Sequence, residues 1–216
     1  MRETLRHPLV IALVTLAVGT GLLGYWDYLR RRSDEIRDLS LGFIDEVAAA
    51  VNAPMPLIFG PLRRGNPSVS QDLHDRITDL YALRMQVQVK STAYLESEVL
   101  SEQYGGIARQ IYELMRTMET VEESHDVRKA AREAREHVAK LKACWGLEPG
   151  KHDDLAEPYP DLLAWADLIW MRSAAVLTCH TQLVLRSRPP RDSRLTSDCA
   201  DPEQHPGWCR AYAGTG

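Results

Sequence analysis

The chain is 216 residues long and carries 26 basic and 30 acidic side chains, for a formal net charge of −4. That balance lacks the basic excess by which nucleic-acid-binding proteins hold phosphates, so no nucleic-acid partner is expected. Two phenylalanines stand among abundant Leu, Ala, Glu and Arg, which favours helix over sheet.

The first element is apolar. Leu9 to Trp26 is a run of eighteen residues without a charge, at the threshold for a membrane span, since a hydrocarbon core takes about 20 helical residues. Gly19, Gly21 and Gly24 within it spell G-x-G-x-x-G, the pattern of a dinucleotide-binding turn. Such a turn needs a strand of about five residues before it and an acidic residue about twenty positions later, at a strand end. Here the apolar run begins at Leu9, too far back, and the stretch Gly42 to Val47 sits in a helical pattern. The glycines read instead as part of a membrane helix, where they permit close approach of neighbours. Tyr25, Trp26 and Tyr28 are rings suited to headgroup level, and Arg30, Arg31 and Arg32 close the segment in water. A cleaved signal peptide competes, because Arg2 and Arg6 precede the run and Ala17-Val18-Gly19 would suit a peptidase. The run continues through Leu22 and Leu23 past that site, so the reading is an uncleaved anchor over 9–29 behind a short tail, 1–8.

After the anchor about 185 residues remain, enough for one domain with its own core. The spacing predicts a helix from Asp27 to Asn52, with Ile36, Leu39, Phe43, Val47 and Val51 on its inner face. Pro54 and Pro56 end it. A second helix starts at the N-cap Ser70, buries Leu73, Ile77, Leu80, Leu83 or Arg84, and Val87, and fades toward Leu100. Tyr104-Gly105-Gly106 is expected to break or kink the chain. A third, long helix then carries Ile107, Ile111, Leu114, Met118, Val121 and His125 at alternating steps of four and three. After a slip of two residues the beat resumes at Val127, Ala131, Ala134, Val138, Leu141 and Trp145, the seam of a bundle or coiled coil. Gly146, Pro149 and Gly150 stop it. A fourth helix, Asp161 to Arg186, places Leu162, Ala166, Ile169, Ser173, Val176, His180 and Leu183 on its seam. The expected fold is all-α: one transmembrane helix followed by an antiparallel, up-down-up-down bundle of about four helices over 30–188. A flexible Pro/Gly-rich tail, 189–216, completes the chain. That topology would bring Arg186, Arg188, Arg191 and Arg194 back toward Arg30, Arg31 and Arg32 at headgroup height.

Candidate chemistry is sparse. Glu122-x-x-His125 has the spacing used by carboxylate-bridged di-iron bundles, but the fourth helix puts Leu177 three before His180 and so lacks the matching motif. Both histidines read as seam residues with hydrogen-bond partners. Cys199, His205 and Cys209 form C-x5-H-x3-C, short of the four ligands zinc wants; a disulfide between Cys199 and Cys209 is the simpler reading. Cys144 and Cys179 fall within helices, where cysteine is most often a core thiol. Cys179 and His180 are adjacent, and neighbours on a helix diverge by about 100°, so they form no ready dyad. No cofactor, metal or catalytic constellation is expected, and the chain is read as a non-enzyme.

The apolar, proline-broken stretch Met55, Pro56, Leu57, Ile58, Phe59, Gly60, Pro61, Leu62 is read as a loop that either caps the bundle or docks a partner. Its large side chains, Met55, Leu57, Ile58, Phe59 and Leu62, form the candidate partner patch. Lipid is the expected partner of the anchor, and a protein, or a second copy through the helix seams, that of the bundle. Two arginines precede the span and four follow it closely, which leans the bundle toward the cytoplasmic side. Four cysteines lean the other way. The functional expectation is a single-pass membrane protein whose bundle is an interaction module: scaffold, adaptor or inhibitory subunit. The alternative is a tethered sensor with a ligand cavity between His125 and His180.

Overall fold

A computed structural model of the protein describes the backbone of residues 8–95, 99–150 and 158–185, and the side chains of these from residue 24 onward. Among the described residues six helices follow one another: α1 (Pro8–Asn52), α2 (Met55–Arg63), α3 (Gln71–Leu95), α4 (Val99–Ser124), α5 (Val127–Trp145) and α6 (Pro160–Leu185). The chain divides into two compact units, one up to Ser40 and one from Leu41 onward.

The first unit is the N-terminal part of α1, which carries the apolar run without a break at its glycines. From Gly24 to Leu39 its residues are mostly exposed, Ile36 and Leu39, expected on an inner face, among them, and Ser40 is buried.

The second unit is a bundle, and its side-chain pairs give its register. Within it the end of α1 runs antiparallel to α3: Lys90 Nζ lies 2.5 Å from Glu46 Oε2 and 5.8 Å from the Phe43 ring centre, and Phe43 meets Tyr94 edge to face. Next, α3 is antiparallel to α4. Val69 N donates to Glu122 Oε2 (2.9 Å), His74 pairs with Glu119 (3.0 Å), and the Tyr104 hydroxyl donates to Leu80 O (2.6 Å). The chain reverses between Leu95 and Val99, not at Gly105 and Gly106, which are buried inside an unbroken α4. Glycine costs a helix about 1 kcal/mol relative to alanine, and the packing around α4 overrides that penalty.

The long third helix of the sequence reading is two helices. His125 adopts a left-handed φ of 56° and the chain turns there. Asp126 then caps α5 by accepting from Lys129 N at 3.0 Å. The two-residue slip in the seam is the turn itself. Met118 and Val121 lie on the buried face of α4, and Ala134, Leu141 and Trp145 on that of α5. Val127 is exposed, and with Ala131, Ala139, Arg128, Arg132 and Arg135 it lines an open depression of about 610 Å³.

α6 is antiparallel to α4 but parallel to α5. His180 meets Gln103 and Trp165 meets Gln110 across the α4 face. On the α5 side, Arg135 pairs with Asp161 (3.4 Å), His137 stacks on Trp165 (4.0 Å between ring centres), and Arg172 lies over Trp145. Two helical stretches, Gly24–Arg63 and Pro160–Leu185, are long and apolar enough to cross a membrane. The apolarity of the second serves the bundle, because Leu162, Leu163, Trp165, Ala166, Leu168 and Ile169 are all buried there. A helix apolar on most sides needs neighbours on most sides.

The segment expected as a loop is the helix α2. Prolines suit a first turn, whose N–H groups have no intrahelical partner, and Pro54 O accepts from Leu57 N and Ile58 N. Gly65, at φ 73°, closes the helix in the left-handed region that glycine adopts without strain. Met55, Ile58 and Leu62 point into the core, and Leu57 and Phe59 pack against it half-buried. α2 is a cap. Replacing Ile58 by Ala should therefore cost about 2–5 kcal/mol of stability, a fall of roughly 5–15 °C in melting midpoint. Met85→Ala on the outer face of α3 should stay within about 0.5 kcal/mol. Equal effects of the two substitutions on thermal melts would contradict this division between core and surface.

Candidate functional site

Three regions hold the residues that the sequence analysis singled out, and a fourth emerges from the packing. The first is the collar on α1. Tyr25, Trp26 and Tyr28 are exposed, Trp26 by 68%. At 3.6 residues per turn their rings leave the helix at about 0°, 100° and 300°, so together they span an arc of about 160° on one side of it. Arg30, Arg31 and Arg32 follow on the same helix, and Arg31 pairs with Asp27 at 2.8 Å. An apolar run, a cluster of aromatics and a cluster of arginines succeed one another along one axis.

The second region is the stretch Met55–Leu62. Of the expected partner patch, Met55, Ile58 and Leu62 are buried in the bundle core, and Leu57 and Phe59 are half-buried. The sequence analysis allowed for such a cap, and the two prolines concealed that it is helical.

The third is the pair of seam histidines. His125 sits exposed at the α4–α5 turn, not on a seam. His180 is buried, and its Nε2 donates to Oε1 of Gln103 at 3.1 Å. Gln103 lies 22 residues before His125, about 33 Å along the helix axis, so the two histidines share no cavity. Glu122 spends its carboxylate on the backbone of Val69, and among the described residues no three potential metal ligands come together.

The residues that sequence reasoning missed are Gln103 and Gln110, seven apart on α4 and therefore on one face. Gln103 receives the His180 ring, and Gln110 Oε1 accepts from Trp165 Nε1 at 3.1 Å. One face of Trp165 is stacked on His137. Glutamine on a helix reads as a solvent residue, and its only signal was its place in the beat of Ile107, Ile111 and Leu114. The line Gln103–His180 and Gln110–Trp165–His137 sets the register of α6 against α4 and α5, because a slip of one turn would leave buried donors and acceptors unpaired. Burial lowers the His180 pKa to about 4, with Arg172 adding to the shift, so the ring is neutral at neutral pH. Burial also lowers His137, with Lys140 contributing, and raises the Tyr104 phenol.

The cysteines differ from expectation. Cys144 and Cys179 are disulfide-bonded, not core thiols. Cys199 and Cys209, with the rest of the tail and Arg186, Arg188, Arg191 and Arg194, lie outside the described residues.

The His180 shift carries a pH signature. Its folded pKa, about 4, lies below the ordinary 6.5, so between those values the unfolded chain binds the proton more readily than the folded one. The contribution, up to about 3 kcal/mol, is full above pH 6.5 and is lost as pH falls toward 4. Urea titrations across that window should show a shallower pH dependence for His180→Gln than for the parent; parallel curves would contradict a neutral, buried imidazole. Compared with known proteins, the chain matches no family model, no curated protein and no solved structure.

Proposed function

We propose that the protein is a single-pass, membrane-anchored helical bundle that works without catalysis, as an interaction module at the membrane surface, and that the outer face of α3 is its docking face. The observation that carries this reading is the stripe Tyr81, Met85, Val89. These residues stand four apart on α3, with Met85 67% and Val89 66% exposed. Tyr112 of α4 meets Tyr81 edge to face, ring centres 5.9 Å apart, and widens the stripe across the helix pair. No charge interrupts α3 between Arg84 and Lys90. Exposed apolar residues scattered singly need no explanation, whereas a contiguous stripe marks a contact surface. Tyrosine and methionine are favoured there, tyrosine for its amphipathic ring and methionine for its adaptable side chain.

The aromatic and arginine collar supports the anchor, since such rings favour the membrane interface and arginines the water beyond it. For the side of the membrane two arguments oppose each other. Two arginines before the span against four after it favour a cytoplasmic bundle. The oxidised state of Cys144 and Cys179 favours the other face, because disulfides persist in oxidising compartments and are rare in the cytosol. The disulfides weigh more than the arginine count and support a bundle on the non-cytoplasmic side.

The test is photo-crosslinking in membranes with a benzophenone amino acid at position 85, and the same probe at Glu136 on the exposed face of α5 as reference. A discrete adduct specific to position 85 is expected, at twice the chain mass if the partner is a second copy. Adducts no stronger than at the reference position would overturn α3 as the docking face. Alkaline carbonate extraction of the same membranes should leave the chain in the pellet; its release would overturn the anchor.

A further inference from the structure

The first unit leaves an ordered surface uncovered. Between Gly24 and Leu39 no residue of α1 is buried. Trp26, Leu29, Ser33 and Ile36 follow one another at steps of three, four and three, and all are exposed, Trp26 by 68% and Ile36 by 43%. At about 100° per residue their side chains leave the helix within an arc of about 80°. That spacing is the a/d repeat by which one helix packs along another.

Charge is sorted about this seam. With Trp26 and Ser33 at a, Arg30 and Arg37 fall at e on one flank and Arg32 falls at g on the other. Asp27, Asp34, Glu35 and Asp38 all fall on the back of the helix, about 120° or more from the seam's centre. Asp27 is taken up there by Arg31, at 2.8 Å. Arg30, Arg32 and Arg37 make no ion pair among the described residues.

We propose that this seam docks a helix of a different protein, one with an apolar a/d stripe and glutamate or aspartate at its own e and g positions. Three unpaired arginines that flank one apolar stripe match carboxylates, and e/g charges set the choice of partner helix. A second copy of the chain does not supply them. Anchored in one membrane, two copies would run parallel here, and Arg32 of each would face Arg37 of the other across the seam. Lipid does not cover the whole surface either. Ile36 stands eight residues past Tyr28, about 12 Å along a helix that runs unbroken. The headgroup layer is only about 5–8 Å deep on each side of the hydrocarbon, so it serves Arg30 and Arg32 and stops short of Ile36. The site lies wholly in the first unit and is separate from α3. It rests on the anchor proposed above only for the direction in which the helix leaves the membrane.

The test places a benzophenone amino acid at Leu39, beside the seam, in the full chain reconstituted in phosphatidylcholine vesicles. Two synthetic helical peptides are offered, both with Leu at a and d, one with Glu and the other with Lys at every e and g. Irradiation should yield about tenfold or more adduct with the Glu peptide than with the Lys peptide. Arg30→Glu, Arg32→Glu and Arg37→Glu together should reverse that preference. Equal yields, no peptide adduct, or a preference that survives the triple substitution would overturn the proposal. So would an adduct of twice the chain mass as the main product, or labelling of lipid in a peptide-free set of vesicles containing phosphatidylserine. Carbonate extraction of the same vesicles reads the anchor separately, because a chain that leaves the membrane still shows or lacks the peptide preference.

Discussion

The bundle is organised by the need to bury α6. Its buried residues include Leu162, Leu163, Trp165, Leu168 and Ile169, which fall on more than one face of the helix. One neighbour cannot cover such a helix. α4 takes one side, α5 another, and the short helix α2 brings Met55, Ile58 and Leu62 into the same core. Burying one large aliphatic side chain is worth about 1.5–3 kcal/mol, so the sum along α6 dominates any single polar contact. What the polar contacts add is position. Gln103 with His180 and Gln110 with Trp165 permit one register among the several that an apolar surface alone would accept.

Much of this was legible in the residues. The seam of α4 at Ile107, Ile111, Leu114 and Met118 is buried as its spacing requires. So is the face of α3 from Leu73 to Val87, and Ser70 caps that helix through Leu73 N at 3.2 Å. Periodicity reports which side of a helix is covered, and here it reports well. It is silent about direction. The same beat ran through Val121 and past His125, and only the two-residue slip marked that the chain turns back. Glycine pairs and prolines misled in opposite senses. Gly105 and Gly106 suggested a break where packing sustains a helix, and Pro54, Pro56 and Pro61 suggested a loop where they stand in or near helical turns that need few of their missing donors.

The candidate sites were harder to read because their signals are negative ones. Met55 to Leu62 is apolar whether it caps a core or awaits a partner, and only burial separates the two. The stripe of Tyr81, Met85 and Val89 did not stand out against the buried stripe beside it on α3, since both repeat at helical spacing. The bonding of Cys144 and Cys179 depends on contacts between distant parts of the chain, for which local sequence carries no signal.

The parallel arrangement of α5 and α6 has a consequence for how the chain acquires its shape. Antiparallel helices joined by short turns can zip as local hairpins, each completed as soon as its second half exists. α6 cannot join in that way, because Pro160, where it starts, lies about 18 Å back along α5 from Trp145 by the register of their side-chain pairs. Before it docks, the groove that α6 fills stands open between α4 and α5. During synthesis this apolar helix thus emerges after the other described helices, and the nascent bundle presents its own vacant core to the surroundings until it docks.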